Sequence, residues 1–327
     1  MFIGHALFAF AVAALVAERR GWNAHRALLV GVIAGLFAAI PDIDVAYAVV
    51  GLADAASGSV GAPTAFWNAS RAVHRSVTHS LVVGAVAAPA FGLAAVRARN
   101  ERAQLARGLA GGLLAALVVV AFVAGGSLAA LVTVLFVGSG VAVARVTAKW
   151  TTLPASTVGI AALWGLWSHP WGDLVTGSPP DLLFPIGPPV LESRIVLHPD
   201  PTLHLLGAFA IELAAIAFAL VAICRLTDRS ILGSVDRRAA VGAAYGIAAL
   251  AVTPPTLEVS YHFVFSILGV GLVCGAVRGA PSSGFGRLWY ATPSADAVLE
   301  AAVTAVTAVT VALAAYAAIY LLLVVPT

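Results

Sequence analysis

The residues in this chain whose types suit chemistry are histidines and aspartates, and they come in short, separate groups. His74 and His79 stand in "HRSVTHS", Asp42 and Asp44 in "IPDIDV", His169 and Asp173 in "WSHPWGD", and His5 lies near the start. Neutral imidazoles combined with carboxylates suit zinc, manganese or iron better than calcium or magnesium, which prefer shells of oxygen alone. A metal with an open position brings the pKa of a bound water to about 7. The candidate ligands exceed four, so the set has room for one ion or two. A two-metal site clamps both the attacking and the leaving oxygen of a phosphoester. Arg75 is the candidate for holding a phosphate bidentately, with Arg71 and Arg194 as further cations on the same side. Ser80 is a candidate for polarising a substrate.

Spacing limits how these residues can act together. Asp42 and Asp44, two apart, point to opposite sides of a regular helix, so both can ligate only where the helix breaks. Pro41 makes such a break plausible, and Asp44 is the favoured ligand of the two; the plainer reading is a turn with a capping aspartate. His74 and His79 lie about 140° apart round a helix, so they converge only across a loop-to-helix junction. The plainer reading there is a solvated loop with Thr78 as the helix cap. His169 and Asp173 share one face if the segment is helical, and Pro170 then has to sit in the first turn. His198 and His204 suit a ligand or a loop equally, and Glu212 is a charged residue in the middle of an apolar stretch.

The elements that carry these groups must be membrane helices. Of the 327 residues 61% are hydrophobic and only 10% charged, against about 25% charged in a soluble domain, and the mean hydropathy is +0.99. A spanning helix needs about 20 apolar residues. Ten stretches qualify, at roughly 2–17, 27–50, 79–96, 108–124, 127–145, 153–168, 203–224, 239–254, 260–277 and 298–325. The fold class expected is an all-α, polytopic transmembrane bundle in the cell membrane. With the N-terminus outside the cytoplasm, fifteen of the eighteen Lys and Arg residues fall in inner segments, as the positive-inside rule requires. Only Arg71, Arg75 and Arg194 are left on the outer side, and the His and Asp groups gather at that same face. Cys224 and Cys274 fall near inner helix ends and give no disulfide framework.

Gly4-His5, Pro41-Asp42-Ile43-Asp44, His74-Arg75 followed by Thr78-His79-Ser80, and His169 with Asp173 together resemble the YdjM-like family of membrane-bound metal-dependent hydrolases. The resemblance covers roughly residues 1–205, leaving 206–327 as accessory C-terminal helices. Where glycine is expected after His-Arg, this chain has Ser76. The family is similar in its His/Asp arrangement to zinc phospholipase C and to P1-type nucleases. The resemblance implies phosphoester hydrolysis on a membrane lipid or lipid-linked substrate, with His5, Asp42, Asp44, His74, His79, His169 and Asp173 as metal ligands or their close neighbours. It implies zinc, with manganese as the other choice, and no nucleic-acid partner. Two other readings stay open: a metal-dependent amide or ester hydrolase of lipids using Ser80, and a transporter or metal-handling protein. Transport is disfavoured because no repeat is visible and no polar path crosses the midplane.

Overall fold

The computed structural model describes residues 2–50, 75, 77–97, 100–276 and 294–325. Among them every regular element is helical, with no strand. The chain divides into two compact units, Met1–Ile195 and Val196–Thr327.

In the first unit, α1 (Phe2–Arg19) and α2 (Ala24–Ala39) are joined by a tight turn in which Gly21 takes φ +82°. The Asn23 side chain starts α2 by accepting from the Arg26 N–H, which meets one of the donors that a helix start leaves free. The α2 ladder ends where Pro41 has no N–H to offer. The Ile40 N–H reaches the Phe37 carbonyl instead, and the chain continues as a 3-10 segment, Pro41–Val50. A short 3-10 turn, Val77–His79, leads into α3 (Leu81–Ala94).

The helix α4 (Glu101–Trp150) is 50 residues long, about 75 Å at 1.5 Å per residue and far more than a bilayer core needs. Gly126, at φ 76° and ψ −169°, breaks it into two lengths that match the stretches 108–124 and 127–145 expected as separate spans. α5 (Ala155–Ser168) and the single turn α6 (Pro170–Asp173) complete the unit's helices.

Helices packing in lipid gain little from the hydrophobic effect, so they rely on close approach. Gly165 shows how close: a Cβ there would lie 2.4 Å from the Ala34 carbonyl oxygen, so only glycine lets α5 lie this near α2. Phe37 stacks on Phe91 at 5.5 Å between α2 and α3. The Trp164 indole N–H donates to the Ala9 carbonyl and that of Trp167 to Leu81, which pins α5 to α1 and α3. These fastenings set the relative heights of the helices whose ends carry the His and Asp groups.

In the second unit, Asp200 caps α7 (Pro201–Leu226) and also accepts from the Tyr320 hydroxyl. A 3-10 stretch (Arg237–Ile247), α8 (Ala248–Ala251), α9 (Tyr261–Cys274) and α10 (Ala295–Ile319) follow. Leu205, Leu213, Phe263, Ile267 and Tyr316 form its core.

Among the described residues, four stretches of helix are long and apolar enough to cross a membrane: Ala24–Val45, Glu101–Trp150, Pro201–Leu226 and Ala295–Val324. Leu81–Ala94 and Tyr261–Cys274 are shorter apolar helices. The stretch 27–50 is α-helical only as far as Ala39, because of Pro41, and 239–254 is wound mainly as 3-10.

Candidate metal centre

Four helix ends meet at one buried cluster. The start of α1 brings His5, and the 3-10 segment after α2 brings Asp42 and Asp44. The turn before α3 brings His79, and the junction of α5 with α6 brings His169 and Asp173. His5, Asp44, His79, His169 and Asp173 are each at most 5% exposed. The break at Pro41 and the new helix beginning at Pro170 are the two backbone events that the spacing required.

The geometry centres on two imidazoles. His79 Nε2 and His169 Nε2 lie 3.0 Å apart. Asp42 Oδ1 lies 3.7 Å from the first and 3.5 Å from the second. Asp173 Oδ2 lies 3.2 Å and 3.6 Å from the same two atoms. Two triangles of ligand atoms therefore share the His79–His169 edge. A tetrahedral ion with bonds of about 2.0–2.1 Å has ligand–ligand edges of about 3.3 Å, so each triangle has the dimensions of one face of such a shell. His5 adds a third imidazole, with Nε2 3.3 Å from Asp173 Oδ1 and its ring 4.3 Å from that of His169. Among the described residues, two sets could hold an ion, His5–His169–Asp173 and Asp42–His79–His169.

The tautomers follow from the outer hydrogen bonds. His169 Nδ1 lies 2.7 Å from the Ala38 carbonyl, which can only accept, so Nδ1 carries the proton and Nε2 the lone pair. The Thr78 hydroxyl donates to Asp44 Oδ2 at 3.2 Å and therefore accepts from His79 Nδ1 at 2.9 Å. His79 Nε2 is then also a lone pair. Two lone pairs facing each other at 3.0 Å repel, so this contact calls for a proton or a metal cation between the rings. The carboxylates agree: Asp42 Oδ2 and Asp173 Oδ2 are buried and, among the described residues, have no hydrogen-bond partner. Leaving such groups unmatched costs several kcal/mol, and a bound divalent ion removes that cost. The donor set fits a transition metal.

Asp42 and Asp44 bracket His79 from its two ring nitrogens. Asp44 Oδ2 is 3.6 Å from Nδ1, on the edge away from the other ligands, and also accepts from the Arg75 N–H at 3.2 Å. The ligand position favoured for Asp44 thus falls to Asp42, because the 3-10 turn after Pro41 aims the two carboxylates at opposite edges of one ring. Asp44 instead fixes that ring.

Arg75 is not a free cation. Its Nη2 bonds Asp173 Oδ1 at 3.0 Å and Thr176 Oγ1 at 3.0 Å. Its Nη1 donates to the carbonyls of Asp173, Thr176 and Ser178. Its Nη donors hold Asp173 and the following turn, which leaves only the buried Nε, without a hydrogen-bond partner among the described residues, for the phosphate that Arg75 was expected to hold. Its backbone takes φ +70°, a strained value for a non-glycine residue. That conformation is tied down by Asp44 on the N–H side and by the Asp181 N–H on the carbonyl. Partial burial pushes the Asp181 carboxyl above its ordinary value.

Ser80 is likewise committed. Its hydroxyl caps α3, accepting from Val82 and Val83 and donating to the Phe184 carbonyl at 2.7 Å. The capping role considered for Thr78 belongs to Ser80. The catalytic role considered for Ser80 has no free hydroxyl to perform it. His74, Ser76 and Arg71 lie outside the described residues.

In the second unit, His198 Nδ1 accepts from the Asp200 N–H and His204 Nδ1 from the Leu197 N–H. Both therefore shape the entry to α7. The parts that reading the sequence missed are Thr78, the Ala38 carbonyl and Gly172, where a Cβ would lie 2.3 Å from His5 Cε1. Of these only Thr78, beside a histidine, left a signal.

A comparison with protein families matches residues 1–252 to the YdjM inner membrane protein family. The chain belongs to that family. The match covers most of the 327 residues and runs past residue 205, so it takes in α7 and the 3-10 stretch after it, which the motifs alone left out. No curated protein and no solved structure gives a significant match. As a YdjM-family protein with long apolar helices, the chain is a membrane protein.

Proposed function

We propose that this YdjM-family protein is a metal-dependent hydrolase of the membrane, cleaving a phosphoester of a lipid or lipid-linked substrate. In this reading the chain crosses the membrane about ten times with its N-terminus outside, and the cluster opens at the outer face. Zinc is the ion that the donor set favours, with manganese second. The observation that carries the reading is the 3.0 Å approach of the Nε2 atoms of His79 and His169, flanked by two carboxylates whose Oδ2 atoms have no hydrogen-bond partner among the described residues.

When bound, such an ion supplies a water with a pKa of about 7 and a Lewis acid for a phosphoryl oxygen. The protein's part is to hold the ligands still and keep bulk water out. The Ala38 carbonyl fixes the His169 ring, and Thr78 with Asp44 fixes that of His79. Arg75 holds Asp173 from the side away from the two imidazoles. Outer partners of this kind usually matter 10–100-fold for metal affinity or activity. Asp42, with its side chain 11% exposed, is the most open member of the cluster, so substrate reaches the ligands past Asp42.

The test measures bound transition metal per chain in detergent-purified protein, together with metal-dependent release of phosphate or phosphoalcohol from phospholipids. Wild type should hold one or two ions and turn over. His79→Ala and His169→Ala should lose both metal and turnover while staying monodisperse. Full turnover in either variant, or release of fatty acid alone, would overturn the phosphoesterase reading.

A further inference from the structure

At the other end of α2 from the metal cluster lies a cavity of about 420 Å³ lined by Asn23, His25, Arg26, Leu29, Trp150, Thr151, Thr152 and Leu153. The 16 residues of α2 separate it from the cluster by about 24 Å along the helix axis, so the two are distinct sites in one unit. The walls are of two kinds: Leu29, Trp150 and Leu153 are apolar, whereas Arg26, His25 and the two threonines are polar. That division suits a ligand with a polar head and an apolar continuation.

Arg26 gives the cavity its chemical character. Its guanidinium lies over the Trp22 ring at 4.2 Å, a stacking that holds the planar group in a set orientation. Its Nε is buried and, among the described residues, has no hydrogen-bond partner. A buried guanidinium N–H without an acceptor is costly, and an oxygen anion is the natural acceptor for it. Arg97, which does not line the cavity, donates to the carbonyls of Ala148 and of the lining residue Thr151. Lys149 sits over Trp150 at 5.1 Å. Among the described residues, no acidic side chain lines the cavity. A tryptophan flanked by cations is the composition found where a membrane helix meets the headgroup layer.

We propose that this cavity binds a phosphate group, with Arg26 as its principal contact, the phosphate being that of an anionic phospholipid headgroup or a free phosphate. The Arg26 guanidinium meets the phosphate oxygens, the Thr152 hydroxyl adds a donor from the opposite wall, and the apolar wall receives the glycerol and first acyl carbons if the ligand is a lipid. The site does not depend on the metal cluster and uses none of its residues.

The experiment uses the full chain in detergent and three probes: phosphatidylglycerol, diacylglycerol with the same acyl chains, and inorganic phosphate. Retained lipid is counted by native mass spectrometry, and phosphate binding is measured by calorimetry. Wild type should retain phosphatidylglycerol and not diacylglycerol. Arg26→Gln should weaken that binding about tenfold or more, as expected for loss of a charge-assisted bidentate contact. Arg20→Gln, which removes the same charge from an exposed neighbouring position, should leave it unchanged. Displacement of the lipid by millimolar phosphate, with direct phosphate binding lost in Arg26→Gln, assigns the site to free phosphate. Retention of the lipid against phosphate assigns it to the headgroup. Equal binding by wild type and Arg26→Gln, an equal loss in Arg20→Gln, or no binding of any phosphate-bearing probe overturns the proposal. If Arg26→Gln does not fold, Thr152→Phe fills the cavity from the other wall and keeps the cation. Binding that survives this filling also overturns it.

Discussion

His79 and His169 come from the starts and ends of different helices, yet their Nε2 atoms lie 3.0 Å apart with both Nδ1 positions already acting as donors. In neutral form neither ring can donate to the other, so a cation, either a metal ion or a proton, belongs between them. Removing that cation should therefore be felt by the fold. A metal held at a thousand times its dissociation constant stabilises by about 4 kcal/mol. Chelation of the purified protein should accordingly lower its melting temperature by on the order of 10 °C, and zinc or manganese should restore it. In His169→Ala the same chelator should cause no shift. A wild-type melt that ignores chelation would mean that a proton, not a metal, sits between the rings.

The two aspartates of the Pro41–Asp44 turn should separate cleanly in a metal titration. Asp42 Oδ1 faces both Nε2 atoms, whereas Asp44 accepts from Thr78 and Arg75 behind the His79 ring. Asp42→Asn should abolish stoichiometric metal. Asp44→Asn should keep the stoichiometry and weaken affinity by about 10–100-fold, the usual effect of losing a partner that orients a ligand. Competition with a chromogenic chelator reads both. The reverse order would place Asp44 in the shell.

Arg75 should resist even a charge-conserving change. Its two Nη atoms serve Asp173 Oδ1, the Thr176 side chain and a row of carbonyls in one plane-and-fork arrangement. A lysine ammonium is a point charge that cannot reproduce it. Breaking a buried pair that leaves one charge unmatched costs about 3–5 kcal/mol. Arg75→Lys should melt earlier and hold metal less tightly, and added phosphate should not rescue it. Rescue by phosphate would show that Arg75 binds the substrate's phosphate in addition to holding Asp173.

Much of this site was legible because a membrane segment tolerates few ionisable groups, so each one stood out against its apolar surroundings. The convergence of His5, Asp42, His79, His169 and Asp173 follows from that contrast, and the i, i+4 step of His169 and Asp173 from Pro170 at a helix start. The division of labour was not legible. Whether Asp42 or Asp44 faces the ligands depends on the pitch of a 3-10 turn, and two residues of sequence do not record it. The commitments of Arg75 and Ser80 depend largely on carbonyls of residues 173–184, about a hundred positions away, and those carbonyls leave no side-chain signature. The break in α4 was legible too: Gly125 and Gly126 fall between the stretches 108–124 and 127–145, and the backbone bends at Gly126 with helix on both sides.

Gly172 offers the sharpest steric test of the cluster. A Cβ at this position would lie 2.3 Å from His5 Cε1 and 2.6 Å from Nδ1, well inside contact distance. His5 is 5% exposed and its ring packs on His169, so it has little room to withdraw. Gly172→Ala should therefore push His5 off Asp173 and cost about 1–3 kcal/mol, the usual range for overfilling a packed site. The same substitution in a His5→Ala background has nothing to collide with, and there it should cost almost nothing. A double-mutant cycle on melting temperature and metal content would then show a coupling of about 1 kcal/mol or more between the two positions. Additive effects would mean that His5 does not sit against the α6 turn, and would remove it from the ligand set.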